Sequence, residues 1–144
     1  MSKFLATDVK VVVNGVVLSD HADSVDTPEE SDQVDVSGFS PTRTKEFIAG
    51  LAYQTIEVEF LQDFASSSVH ATLQPLYASG SAFPMFVQPD SDAGTSATNP
   101  IFGGTATLFS YNGLGGATLN EPVKITATFK PAANASFSWG TVAP

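Results

Sequence analysis

The sequence predicts a mainly β protein: an antiparallel β-sandwich or half-open barrel of seven or eight strands with one packed α-helix. Three observations carry this. Two stretches alternate apolar and polar residues with a period of two, Ile56 to Phe60 and Val123 to Lys130, the mark of half-buried strands. Eleven glycines and nine prolines punctuate 144 residues, as short strands joined by many turns require. Only one stretch, around Val69 to Tyr77, places apolar residues at helical spacing.

Taken in order, Val9 to Leu18 is a hairpin. Asn14-Gly15 lies between β-branched runs, and both turn positions of such a hairpin need positive φ. The strands are expected at about Asp8–Val13 and Val16–Ser19. Asp20 to Asp35 follows. It holds seven of the fifteen acids (Asp20, Asp23, Asp26, Glu29, Glu30, Asp32 and Asp35), with no Lys or Arg and almost nothing apolar. That composition predicts a long acidic loop over 20–35 without a packed element of its own. A loop of this length is often functional.

Gln33 to Ser37 alternates and predicts a strand. Arg43 and Lys45 set positive charge beside Phe47 and Ile48, and Gly50-Leu51 reads as a turn. Tyr53 to Phe60 predicts a strand with Ile56, Val58 and Phe60 inward and Thr55, Glu57 and Glu59 outward. The helix is expected over about 67–79, with Val69, Leu73, Leu76 and Tyr77 as its apolar stripe and Gly80 as its C-terminal cap. Pro75 leaves two starts open, one near Ser67 with a kink and one near Thr72. Phe83 to Gln88 is a strand, with Pro84 at a sheet edge or a strand entrance. Pro89 to Pro100 is a polar loop. Ile101 to Tyr111 and Val123 to Pro131 are two long antiparallel strands joined by an exposed glycine-rich loop, and Ala135 to Trp139 makes a final edge strand. The length fits one domain with a core.

Charge and composition exclude several functions. The net charge is -9 with six basic residues, so phosphate backbones are repelled. There is no cysteine for disulfide or thiolate chemistry. No apolar run approaches the ~20 residues of a membrane span, and the first residues lack the apolar segment of a signal peptide.

Motifs for chemistry are weak. His21 among Asp20, Asp23 and Asp26 lacks the glycine turn and bidentate glutamate of a calcium loop. Asp90-Ser-Asp92-Ala-Gly94 is half such a loop and reads as a turn. His70 reads as a surface or packed histidine. Glu57 and Glu59 share a strand face, as glycosidase carboxylates do, but exposed pairs of this kind are common on strands. Gly113-Leu-Gly-Gly116 lacks the strand-then-helix setting of a phosphate loop. No catalytic residue, metal or cofactor is expected.

The run from Tyr111 to Pro131, Tyr-Asn-Gly-Leu-Gly-Gly-Ala-Thr-Leu-Asn-Glu-Pro-Val-Lys-Ile-Thr-Ala-Thr-Phe-Lys-Pro, resembles the C-terminal part of the major tail tube proteins of long-tailed bacteriophages. Phe60-Leu-Gln-Asp63, Val69 to Gly80 and Phe83 to Pro89 resemble the same family in order and spacing. The resemblance covers about 34–131. It implies a virion protein of the phage tail, assembled in the host cytoplasm. Hexameric rings of such subunits stack into a tube through which DNA passes without specific binding, alongside tail proteins such as the tape measure and the tail terminator. It also implies that the acidic residues from Asp20 to Asp35, with Arg43 and Lys45, lie at subunit interfaces, and that Glu57 and Glu59 line the lumen. Two other readings stay open: a head-decoration or tail-terminator subunit, and a carbohydrate-binding β-sandwich stacking sugars on Tyr53, Tyr111 or Trp139.

Overall fold

A computed structural model describes residues 8–39, 43–91 and 93–144. Among the described residues ten strands form two sheets: β1 (Lys10–Val13), β2 (Val16–Val17), β3 (Ala22–Asp26), β4 (Glu29–Asp35), β5 (Phe47–Gln54), β6 (Ile56–Leu61), β7 (Phe83–Gln88), β8 (Ile101–Tyr111), β9 (Lys124–Pro131) and β10 (Ser138–Gly140). The larger is antiparallel, ordered β2-β1-β7-β8-β9-β6-β3, with β10 pairing β8 off that path. The smaller is a two-stranded ribbon of β4 and β5. A flat sheet at ~4.8 Å per strand would hold β1 and β3 about 24 Å apart. Yet one groove is lined both by Asp8 and Val9, before β1, and by β3. The sheet therefore curls towards closure, which is the half-open barrel rather than a stack of two sheets.

The local reasons follow the sequence. β1 (Lys10–Val13) and β2 (Val16–Val17) are joined by Asn14 at φ 50 and Gly15 at φ 80, the doubly positive turn that matches strand twist. Both strands are shorter than expected. The Leu18 N–H still donates to the Val11 carbonyl at 2.9 Å, but the Val11 N–H turns to Ser19 Oγ at 2.9 Å and a turn of 3-10 helix begins at Ser19, which ends the ladder. β6 (Ile56–Leu61) and β9 (Lys124–Pro131) alternate as read: Ile56, Val58, Phe60, Ile125, Ala127 and Phe129 are all buried.

β7 (Phe83–Gln88) sits between β1 and β8. Pro84 is therefore not at a sheet edge. It stands at the strand entrance, beyond the end of β1, where its missing N–H costs no ladder bond on that side and its carbonyl accepts the Asn14 N–H at 2.8 Å. β8 (Ile101–Tyr111) is the spine of the sheet. Its first half pairs with β7 and with β10 (Ser138–Gly140), its second half with β9. A bulge between Leu108 and Ser110 leaves Phe109 exposed.

The helix α1 spans Val69–Ser79, the earlier of the two starts, with Ser68 as N-cap residue and Pro75 inside. Its first-turn bond, Thr72 N–H to the Ser68 carbonyl, survives; Pro75 leaves the Ala71 carbonyl without its helical donor. Gly80 ends the helix at φ 65, its N–H bonded to the Leu76 carbonyl. Val69 and Leu73 are buried and Leu76 packs on the core, whereas Tyr77 is largely exposed. The helix lies against β8.

The expected acidic loop is not a loop. Ser19–His21 is a 3-10 turn, Ala22–Asp26 is β3 and Glu29–Asp35 is β4. β3 forms because β6 offers a ladder, with Val25 paired to Val58 and packed on the core. β4 forms because β5 (Phe47–Gln54) runs back beside it. The strand expected over 33–37 is the end of this longer β4. Gly50-Leu51 is not a turn but lies inside β5. A Cβ at Gly50 would stand 3.0 Å from Val34 Cγ2 and 3.2 Å from Asp32 Cβ, so the glycine serves close strand approach. Asp92, in the half calcium loop, lies outside the described residues. The rest of that polar segment folds around buried Asn99, whose Nδ2 donates to the carbonyls of Asp90, Ala93 and Gly94 and whose Oδ1 accepts the Asp90 N–H.

Candidate assembly surfaces

The ribbon of β4 and β5 projects as an arm with solvent on both faces. A bulge between Ser31 and Gln33 reverses the alternation in β5, so Phe47 and Ala49 share one face of the ribbon with Asp35 and Gln33, while Ile48 and Tyr53 lie on the other with Val34, Asp32 and Glu30. More than half the surface of Phe47, Ile48, Leu51 and Tyr53 is exposed. The ladder from Glu29↔Gln54 to Asp35↔Phe47 is about 23 Å long at ~3.3 Å per residue. Among the described residues three acids are tied within the arm, Glu29 weakly, by Gln54 Nε2 at 3.5 Å. The Tyr53 hydroxyl donates to both oxygens of Asp32 at 2.8 and 2.9 Å, which raises the phenol's pKa. Asp35 accepts the Ser37 N–H at 2.8 Å, and bonding to Ser37 lowers its pKa. Arg43 and Lys45 stand at the outer end, exposed, and neither forms an ion pair among the described residues.

The base of the arm is clasped to the body by side chains from distant sequence. Gln54 Nε2 donates to the Phe137 carbonyl at 2.7 Å, and Gln54 Oε1 accepts the Phe137 N–H at 2.9 Å. The amide thus does for buried Phe137 what a neighbouring strand would do. Beside it the Trp139 indole N–H donates to Glu29 at 2.9 Å. Gln54→Ala leaves both Phe137 backbone groups without a partner and is expected to destabilise the protein by about 2 kcal/mol. Urea unfolding measures this, and a change below ~0.5 kcal/mol would show the clasp to be dispensable.

A second surface is the polar side of the main sheet. Cross-strand register puts Asp26 opposite Glu57, Ser24 opposite Glu59, Glu57 opposite Thr128 and Glu59 opposite Thr126. Lys124 bridges Asp23 at 3.2 Å and lies 3.9 Å from Glu59. That hydrogen bond lowers the Asp23 pKa and raises the Lys124 pKa. Asp23 and Asp26 thus join Glu57 and Glu59 on one face with Lys124 and Lys130. The sequence-predicted residues therefore separate into two groups: Asp20, Asp23 and Asp26 belong to the body, and Glu29, Glu30, Asp32 and Asp35 to the arm with Arg43 and Lys45.

A Ser, His and carboxylate grouping does form in space. His21 Nε2 and Ser68 Oγ both meet Asp63 Oδ2, at 3.0 and 2.8 Å. The order is wrong for nucleophilic catalysis. The carboxylate stands between the other two, so the serine proton points at Asp63 and no imidazole takes it. The arrangement instead ties the turn before β3 to the start of α1. His70 is packed likewise, with Nδ1 2.6 Å from the Tyr111 hydroxyl, which also accepts from Gln62 Nε2 at 3.0 Å. The Tyr111 hydroxyl is committed to this network, the Trp139 indole N–H to Glu29 and the Tyr53 hydroxyl to Asp32.

These partners set a pH dependence. The Ala65 N–H, the Ser68 hydroxyl and His21 hold Asp63 below its ordinary value, as Lys124 does Asp23 and Ser37 does Asp35. A depressed folded-state pKa contributes stability that is present above the ordinary carboxylate value and lost as pH falls through the depressed one. Melting temperature is expected to hold from neutral pH down to ~pH 5 and to drop below ~pH 4. Circular dichroism melts check it; a rise in melting temperature below pH 4 would contradict it.

No protein-family model and no curated protein matches the chain. Solved structures do. A chain of the native gene transfer agent (GTA) virion matches with TM-score 0.70 at 14% identity, covering 94% of this chain and 99% of that one. A chain of the tail of an empty GTA particle, of C6 symmetry, matches with TM-score 0.68 at 14% identity over 96% and 98%. The SPP1 tail tube matches with TM-score 0.70 at 12% identity over 99% and 81%. Over nearly its whole length, the chain therefore has the fold found in these virion and tail structures.

Proposed function

We propose that this protein is the ring-forming subunit of a phage-type tail tube, a single structural domain with no catalytic role. The fold match to a C6-symmetric tail and to a tail tube, over 96% and 99% of the chain, is the observation that carries the reading. Six copies make a ring and rings stack into a tube that passes nucleic acid. Further tail proteins, such as the tape measure and the terminator, are its partners in the virion. The arm supports the reading. A two-stranded ribbon is marginal by itself in water, and this one exposes apolar side chains on a chain of net charge -9, as a segment made to be covered by another copy does. The acidic residues of the arm, together with Arg43 and Lys45, form the contact with a neighbouring subunit.

The polar face of the main sheet is proposed as the inner wall. It carries Asp23, Asp26, Glu57 and Glu59 against Lys124 and Lys130, an acidic excess that lets phosphates slide rather than bind. Negative-stain imaging and sedimentation of concentrated protein are expected to show hexamers and tubes. A monomer at every concentration and salt would sink the proposal. A reconstruction with Arg43 and Lys45, instead of Glu57 and Glu59, on the inner wall would overturn the lumen assignment alone.

A further inference from the structure

The geometry points to a receptor for the arm: the acidic seam of the half-open barrel takes the basic outer end of the arm, Arg43 with Lys45, from a second copy. This rests on the reading of the chain as self-assembling through its arm. The seam is an open groove of about 650 Å³ between β3 and the ends of β1 and β7. Its floor includes Val25, Val87 and Trp139, its rim carries Asp20 and Asp23, and no Lys or Arg lines it. One wall is β3, the last strand of the sheet, whose outer backbone edge has no ladder partner among the described residues. An unpaired edge beside an apolar floor and an acidic rim suits an extended segment that carries positive charge.

The chain itself supplies that segment. Among the described basic residues, Lys124 is paired to Asp23 and Lys10 lies over the Phe86 ring at 5.9 Å. Arg43 and Lys45 are the pair two residues apart with no ion-pair partner there, and exposed Asp20 has none either. The contact is between copies because of length. Trp139, in the seam, bonds Glu29 at the base of the arm, so the arm's outer end stands about 23 Å from its own seam at ~3.3 Å per residue. An end-to-seam contact is head-to-tail, which closes into rings or runs on as a filament.

Charge exchange tests it on the full chain. Asp20→Lys alone, and Arg43→Glu with Lys45→Glu alone, are each expected to raise the critical concentration for assembly at least tenfold, followed by sedimentation at constant salt. An equimolar mixture of the two proteins is expected to assemble as the parent does, since each acidic end then meets a basic seam and each basic end an acidic one. Recovery on mixing also shows that both variants fold. Variants that assemble alone like the parent, or a mixture that stays dispersed, would overturn the pairing. Copies without the arm separate this from the underlying reading. If they fail to assemble while charge exchange has no effect, the arm acts at another surface; if they assemble, both ideas fall.

Discussion

Copies in which residues 31–52 are replaced by Asn-Gly, joining Glu30 to Tyr53, are expected to fold and to stay monomeric. The new turn closes a two-residue hairpin of the favoured type. The pairs Glu29↔Gln54 and Glu30↔Tyr53 are kept, and so is the clasp on Phe137. No residue of the buried core lies between Glu29 and Gln54, so the body loses none of its packing. Melting temperature should move by only a few degrees. Assembly should weaken at least a hundredfold, about 2.8 kcal/mol at tenfold per ~1.4 kcal/mol. Sedimentation and negative stain read this out, and normal tubes from the shortened chain would make the arm a passive feature. The boundaries matter. Exchanging 20–32 for a Gly-Ser connector, which an acidic loop would tolerate, removes β3 with its core contact at Val25 and the bond of His21 to Asp63. That variant would lose body stability and assembly together.

The second large effect lies in the sheet. Gly103, in the first half of β8, pairs with Phe86 of β7 on one side and Ser138 of β10 on the other. A Cβ there would meet the Met85 carbonyl oxygen at 2.1 Å and Phe86 Cα at 2.6 Å. Both are backbone atoms of β7, which cannot rotate away as a side chain does. Gly103→Ala must pry β7 from β8, at the upper end of overpacking costs, about 3 kcal/mol. For a chain of this size that lowers the melting temperature by about 10 °C. Gly38→Ala, with nothing within 4 Å of the added carbon, is the control and should change little. A Gly103→Ala melting temperature within ~3 °C of the parent would refute the clash.

Elements whose own residues make them fold were legible. Ile56-Glu-Val-Glu-Phe60 and Val123 to Lys130 display both faces of the sheet in their alternation, and Asn14-Gly15 displays its turn. β3 and β4 were not legible because their reason for being strands lies elsewhere. Asp, Ser and Glu are depleted in strands for want of packing. Here the packing partner is Val58 for Val25, and the ladder of β4 is supplied by β5. Gly50 misled for a similar reason: it punctuates locally, while its use is the close approach of Val34. Of the candidate surfaces, the shared outward side of Glu57 and Glu59 followed from period two. That Asp23 and Asp26 join them depends on strand order. The bond from Trp139 to Glu29 spans 110 positions, beyond any local pattern.

The acids on β4 have a kinetic consequence. Both strands of the ribbon are edges, and freshly made copies present them to one another at high concentration. Such edges template stray pairing and fibre growth. Two β4 edges brought side by side would set Glu30, Asp32 and Asp35 of one copy against those of the other, and carboxylates facing across strands repel. The ribbon is thus adhesive in β5, through Phe47, Leu51 and Tyr53, and self-avoiding in β4. Collisions between unassembled copies in the wrong orientation are short-lived, and growth falls to the encounter in which charge and apolar surface agree.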